Sequence, residues 1–234
     1  MTNPTKTKTG THEWATKTVN IQYGCENNCI YCYAKKMAGR FNRIPKDGWD
    51  HPQLKWRMDL PKNTKVMFPS THDICEENLY YCMEIIGALL DRGNQLLIVS
   101  KPREKCIESI CYYFKHDIEK IEFRFTIGTL YNETIDYWEP NAPLFEERIA
   151  AVKEALRCGH KVSISCEPLL DPSCKIIDYL LQPEFAEITE IWIGAMQYMK
   201  EAPILDYQAI YKRYNDNPKI KFKDSFRKHL TVIP

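Results

Sequence analysis

Long apolar runs are missing from this 234-residue chain, and so is any marked imbalance of charge. No uncharged stretch approaches the roughly 20 residues that a membrane-spanning helix needs, and no membrane association is expected. The opening MTNPTKTKTGTHEW carries no apolar core, so a secretory leader is not expected either. With 32 Lys and Arg against 31 Asp and Glu, the net charge of +1 provides no broad electrostatic footprint for nucleic acid, although a local basic face stays open. Internal repeats, low-complexity tracts and an interdomain linker are absent. That leaves one core domain over residues 1–234 with short terminal extensions. Cysteine is not scarce, but seven of the ten (Cys75, Cys82, Cys106, Cys111, Cys158, Cys166, Cys174) show no CxxC pairing. A secreted disulfide framework belongs to smaller chains, so these read as small buried hydrophobes in a reduced, cytoplasmic protein.

What is present is a regular alternation. TVNIQYG (Thr18 to Gly24), KVMFPS, QLLIVS, IEFRFTIG, KVSISCEP and EITEIWIGA read as strands. YAKKMAGRF, EENLYYCMEIIGALLDRG, REKCIESICYYFKH, PLFEERIAAVKEALRCG, SCKIIDYLLQP and LDYQAIYKRYND read as the helices between and after them. In the second helix Leu79, Cys82, Met83, Ile86, Leu89 and Leu90 share one face, and Gly93 stops it. Six β–α pairs with continuous apolar strands predict a parallel sheet covered by helices, closed partly into a barrel or left open. Either form places function at the carboxyl ends of the strands, where Cys25 follows strand one.

The stretch YGCENNCIYCYAKK puts Cys25, Cys29 and Cys32 at the spacing CxxxCxxC. A loop containing Glu26, Asn27 and Asn28 offers no core in which to bury idle thiols. Zinc would want a fourth ligand, and no neighbouring CxxC or HxxxH supplies one. Three thiolates suit a four-iron cluster whose fourth iron stays open. A non-catalytic zinc or iron–sulfur module remains the alternative.

That spacing, with an aromatic before the last cysteine, resembles the radical S-adenosylmethionine superfamily. CIYCYA is most similar to spore photoproduct lyase relatives, and HEWATKTVNIQYGC to phage-associated proteins of the same superfamily. The resemblance runs from Trp14 to about Met199 through FPSTHD, VSKP, the FTIG…EPNAP…ER segment and SISCEPLLD. It implies a partial (β/α)6 barrel with parallel strands and helices outside.

The resemblance also implies chemistry. A [4Fe-4S] cluster on Cys25, Cys29 and Cys32 cleaves S-adenosylmethionine reductively, giving a 5′-deoxyadenosyl radical that takes hydrogen from a substrate. Tyr31 corresponds to an aromatic lying against adenine, and Lys101 to a partner of the cofactor carboxylate. Thr126 matches a ribose contact, while Ser70, Thr71 and Asp73 face the methionine end. For Asp73 a helix cap before EEN is the simpler alternative. Glu139 and Arg148 are expected to bridge each other structurally. Tyr33 and Cys166 are the candidates for handling hydrogen, although the lyase's own cysteine belongs near Pro69 and Ser70, which puts dimer repair in doubt. A reductant such as flavodoxin or ferredoxin is implied, with the protein acting as a monomer. The basic run Lys35, Lys36, Arg40, Arg43 and Lys46, with Phe41 and Trp49 interleaved, suits either a nucleic acid strand or a solvated helix face followed by a loop. A nucleobase, nucleotide or nucleic acid is the first substrate class expected. A small metabolite or peptide is the alternative, and the reaction type is left open.

Overall fold

The computed structural model describes residues 10–13 and 15–230; Trp14, where the family resemblance begins, lies outside them. In chain order the strands are β1 (Lys17–Thr18), β2 (Gln22–Tyr23), β3 (Gln53–Leu54), β4 (Lys65–Phe68), β5 (Gln95–Ser100), β6 (Ile121–Thr126), β7 (Lys161–Cys166), β8 (Ile191–Ile193) and β9 (Ile220–Phe222). The helices are α1 (Tyr33–Arg40), α2 (Leu79–Asp91), α3 (Glu104–Tyr113), α4 (Asn132–Trp138), α5 (Phe145–Arg157), α6 (Lys175–Leu180), α7 (Tyr207–Tyr214) and α8 (Asp224–Arg227).

Seven strands form one parallel sheet in the order β1-β4-β5-β6-β7-β8-β9, so from β4 to β9 neighbours in space follow one another in the chain. A cavity is bordered by residues at or just beyond the carboxyl ends of β4 through β9, which requires the sheet to curl around it. Among the described residues β1 and β9 do not pair, so the barrel is partial, as expected. No described helix is long and apolar enough to cross a membrane.

The strands are not continuously apolar, and the departure from that expectation has a physical reason. One face packs on the helices through Ile121, Phe123, Phe125, Val162, Ile164, Cys166, Ile191 and Ile193, all buried. The other face looks into the barrel, and period-2 alternation makes it polar. There Arg124 Nε donates to Ser163 Oγ at 2.8 Å, and its Nη2 lies 3.2 Å from Glu122 and 3.1 Å from Glu190. Trp192 Nε1 donates to the same Glu190 oxygen at 2.7 Å. This network fills the barrel below the cavity. Satisfied on all these sides, it avoids the cost of buried unpaired charge.

Three further expectations are corrected. The first predicted strand divides: Lys17–Thr18 joins the sheet, whereas Gln22–Tyr23 pairs antiparallel with β3, which lies between α1 and β4. The division follows from Asn20, whose side chain holds residues 70 and 71, and from Ile21, whose N–H donates to His72 Nε2 at 3.2 Å. A seventh sheet strand, β9, in KIKFKD, adds to the six expected from the sequence. Its alternation buries Ile220 and Phe222. Trp49 is buried rather than interleaved in a basic surface, leaving Phe41 as the exposed aromatic there.

Candidate active site

The cysteine loop is fixed by backbone geometry before its side chains matter. Gly24 has φ +95°, and a Cβ there would stand 2.7 Å from the Trp49 carbonyl and 2.8 Å from Pro52 Cα. Only glycine tolerates both. The next residue uses that approach, because Cys25 N donates to the Trp49 carbonyl at 2.8 Å. Ile30 N donates to the Trp138 carbonyl at the end of α4 (2.9 Å), and Cys32 caps α1, its sulfur accepting from Lys35 N at 3.4 Å. All three cysteines border one cavity of about 450 Å³. Burial pushes the Cys29 thiol up to about 12 and raises Cys25 and Cys32 as well. Near neutral pH they stay protonated until a bound cationic group draws the protons off.

Asp73 and Lys101 stand beside these thiols at the ends of β4 and β5. Asp73 Oδ1 accepts from Lys101 N (2.6 Å) and Ser100 Oγ (3.2 Å), while Oδ2 accepts from Asn27 Nδ2 at 2.9 Å and lies 3.5 Å from Lys101 Nζ. Burial alone would raise the Asp73 carboxyl, but Lys101 and these donors outweigh it and hold it below the usual range. Burial would likewise lower Lys101, yet Asp73, Cys29, Tyr31 and Glu139 hold it well above an ordinary lysine. Asp73 is therefore not a helix cap. The N-cap of α2 is Asn78, five residues on, and every partner of the Asp73 carboxylate among the described residues belongs to the cysteine loop or the end of β5.

Tyr31 donates to Glu139 Oε1, and Glu139 Oε2 accepts from Arg148 Nη2. Both charged side chains are buried, confirming the expected ion pair. Arg148 Nε also donates to the Pro143 carbonyl (2.7 Å) and Nη1 to the Thr126 carbonyl (3.3 Å). The ring of Tyr31 lies under Lys101 Nζ, 5.6 Å from its centroid. One chain of contacts thus ties the cysteine loop to β5, β6 and α5.

Of the remaining sequence candidates, Ser70, Thr71, Thr126 and Tyr33 all border the cavity. Tyr33 donates to the Ser70 carbonyl at 2.8 Å, and burial and the nearby Cys32 push its hydroxyl up to about 12. Cys166 is not brought to this site. The strand period turns it to the opposite face, fully buried in the helix-covered core beside Cys174.

Sequence reading missed Asn20, which accepts from the N–H groups of Ser70 (2.7 Å) and Thr71 (2.8 Å), and also Asn27, Trp49, Ser165, Glu167 and Lys223. Glu167, in the strand-end CEP, and Asn27, within the cysteine loop, carried local signals, but their partners come from segments distant in the chain.

Three thiols bordering one cavity fit a four-iron cluster, which spreads its thiolates over different irons. The buried indole N–H of Trp49, on the same wall, has no hydrogen-bond partner among the described residues. Such a donor suits a sulfur-rich anion.

No protein-family model and no curated protein sequence matches the chain. Solved structures do. A point mutant of spore photoproduct lyase is similar over 85% of this chain and 61% of its own length, at 20% identity and a TM-score of 0.57. A second lyase mutant, holding a dinucleoside spore photoproduct, matches at 19% identity and 0.56, covering 85% of this chain and 60% of its own. Streptococcus suis SuiB bound to S-adenosylmethionine matches at 14% identity and 0.57, covering 88% of this chain and 46% of its own. The chain has the α/β partial-barrel fold of these proteins and spans about three fifths of the lyase's length or less than half of SuiB's.

Proposed function

We propose that this chain is a radical S-adenosylmethionine enzyme with a single core domain, acting as a monomer on a nucleobase, nucleotide or nucleic acid. The observation that carries the reading is one cavity at the carboxyl ends of parallel strands, bordered at once by Cys25, Cys29, Cys32, Tyr31 and Lys101. The cysteines would hold a [4Fe-4S] cluster which, with S-adenosylmethionine and an electron from flavodoxin or ferredoxin, supplies a carbon-centred radical able to abstract hydrogen. Lys101, kept charged by Asp73, is placed to attract a carboxylate. Tyr31, held by Glu139, offers its face to an adenine, and Thr126, Ser70 and Thr71 offer hydroxyls to a ribose or ammonium. Burial of Cys25 and Cys29 would limit the access of water to their sulfurs. The nucleobase side of the reading is supported by the lyase that holds a dinucleoside.

The test is anaerobic reconstitution followed by dithionite and S-adenosylmethionine. About four irons and four sulfides per chain are expected, with methionine and 5′-deoxyadenosine formed. Replacing Cys25, Cys29 and Cys32 by alanine should remove iron, sulfide and cleavage together. A wild-type protein holding one zinc and no sulfide would end the proposal in favour of a binding module.

A further inference from the structure

The cavity wall away from the cysteine loop is a built site that the cofactor reading leaves unused. Ser165, on the barrel-facing side of β7, and Glu167, one residue past its end, both border the cavity. The Ser165 hydroxyl is buried, 1% exposed, borders the cavity and has no hydrogen-bond partner among the described residues. A buried hydroxyl without a partner is costly, and its position on the cavity wall points to an absent ligand atom.

Glu167 is held in place from three sides. Ser225 Oγ donates to Oε1 at 2.8 Å, and Lys223 Nζ lies 3.2 Å from Oε2. Beneath its stem is Gly194, where an added Cβ would stand 2.6 Å from Glu167 Cγ and 2.8 Å from both Cβ and Cδ. A glycine just past β8 thus clears the path by which the carboxylate reaches the end of β9. Each carboxylate oxygen keeps a further acceptor site. Tyr33 and Tyr198, both exposed, flank the same space.

Resting on the radical-enzyme reading, we propose that this wall recognises the substrate, a planar heterocycle presenting two adjacent N–H donors with a carbonyl beside them. The two carboxylate oxygens of Glu167 accept the N–H pair, Ser165 donates to the carbonyl, and the tyrosines offer stacking faces. Among the common nucleobases in their neutral forms only guanine has that edge, in N1–H, the 2-amino group and O6. A carboxylate here also repels phosphate, so the base rather than the backbone enters.

Titration of the reconstituted full chain with guanosine, inosine and adenosine, followed by NMR, tests this. Guanosine is expected to bind at least about tenfold more tightly than inosine, which lacks the 2-amino donor, and than adenosine. Glu167→Gln should erase the preference. Ser165→Ala, which removes the unpartnered hydroxyl, should weaken guanosine at unchanged or raised melting temperature. No saturable guanosine binding by the wild type, or equal binding of the three nucleosides, overturns the inference, as does a Ser165→Ala protein that binds guanosine unchanged. Cluster content and S-adenosylmethionine cleavage, measured on the same preparations, report separately on the reading beneath it.

Discussion

Glutamate 139 lies where stability and site geometry meet, so Glu139→Gln tests both. Its carboxylate and the Arg148 guanidinium are each 1% exposed and 2.5 Å apart, and among the described residues Arg148 has two backbone carbonyls as further partners. Removing the negative charge leaves a guanidinium buried without a counter-ion, a change that costs about 3–5 kcal/mol. The same change disturbs the acceptor of Tyr31, whose ring borders the cavity. Replacing both charged partners by apolar side chains (Glu139→Leu with Arg148→Met) removes the unpaired charge and should recover most of the lost stability. It should not recover the orientation of Tyr31. Urea denaturation of the reduced apo-protein, followed by tryptophan fluorescence, measures the first effect as a double-mutant cycle. Binding of S-adenosylmethionine to the reconstituted variants measures the second. A Glu139→Gln loss below about 1 kcal/mol would refute the burial argument, and a doubly apolar variant with wild-type cofactor affinity would refute the role given to Tyr31.

Asn20→Ala removes the acceptor for two backbone N–H groups and should cost about 2 kcal/mol, with faster amide exchange at Ser70 and Thr71; unchanged exchange there would count against its positioning role. Gly24→Ala forces a side chain into a positive-φ position against the Trp49 carbonyl. It should cost at least about 1–3 kcal/mol and lower the iron content, and a variant with full iron and unchanged melting would contradict this. Burial lowers His72 to about 4, so it folds neutral, accepting from Ile21 N and facing the Asp73 carbonyl. The unfolded chain takes up a proton near pH 6.5, so stability should fall as pH drops from about 6.5 towards 4. The loss approaches about 3 kcal/mol and should flatten in His72→Gln. Asp73, held low, adds its own loss only below the ordinary carboxylate range. A pH-independent stability between 6.5 and 4 would exclude the assignment to His72.

Local pattern sufficed for much of this molecule. The CxxxCxxC run, helical spacing in 79–90, strand-length runs bounded by turn residues and the order of β and α segments identified a parallel α/β chain with a sulfur site at the strand ends. They did so because chain-local periodicity and ligand spacing are written in neighbouring residues. Tertiary structure alone decided the rest. It turned Cys166 to the helix side and Ser165 to the cavity, gave the Asp73 carboxylate partners from the cysteine loop and the end of β5, and added β9 to the six expected strands. It also brought Glu167, Gly194 and Lys223 together from three strands. The face a strand residue presents depends on pairing register, and the partners of a buried charge come from distant segments. Neither is readable in residue order until the sheet has closed around its cavity.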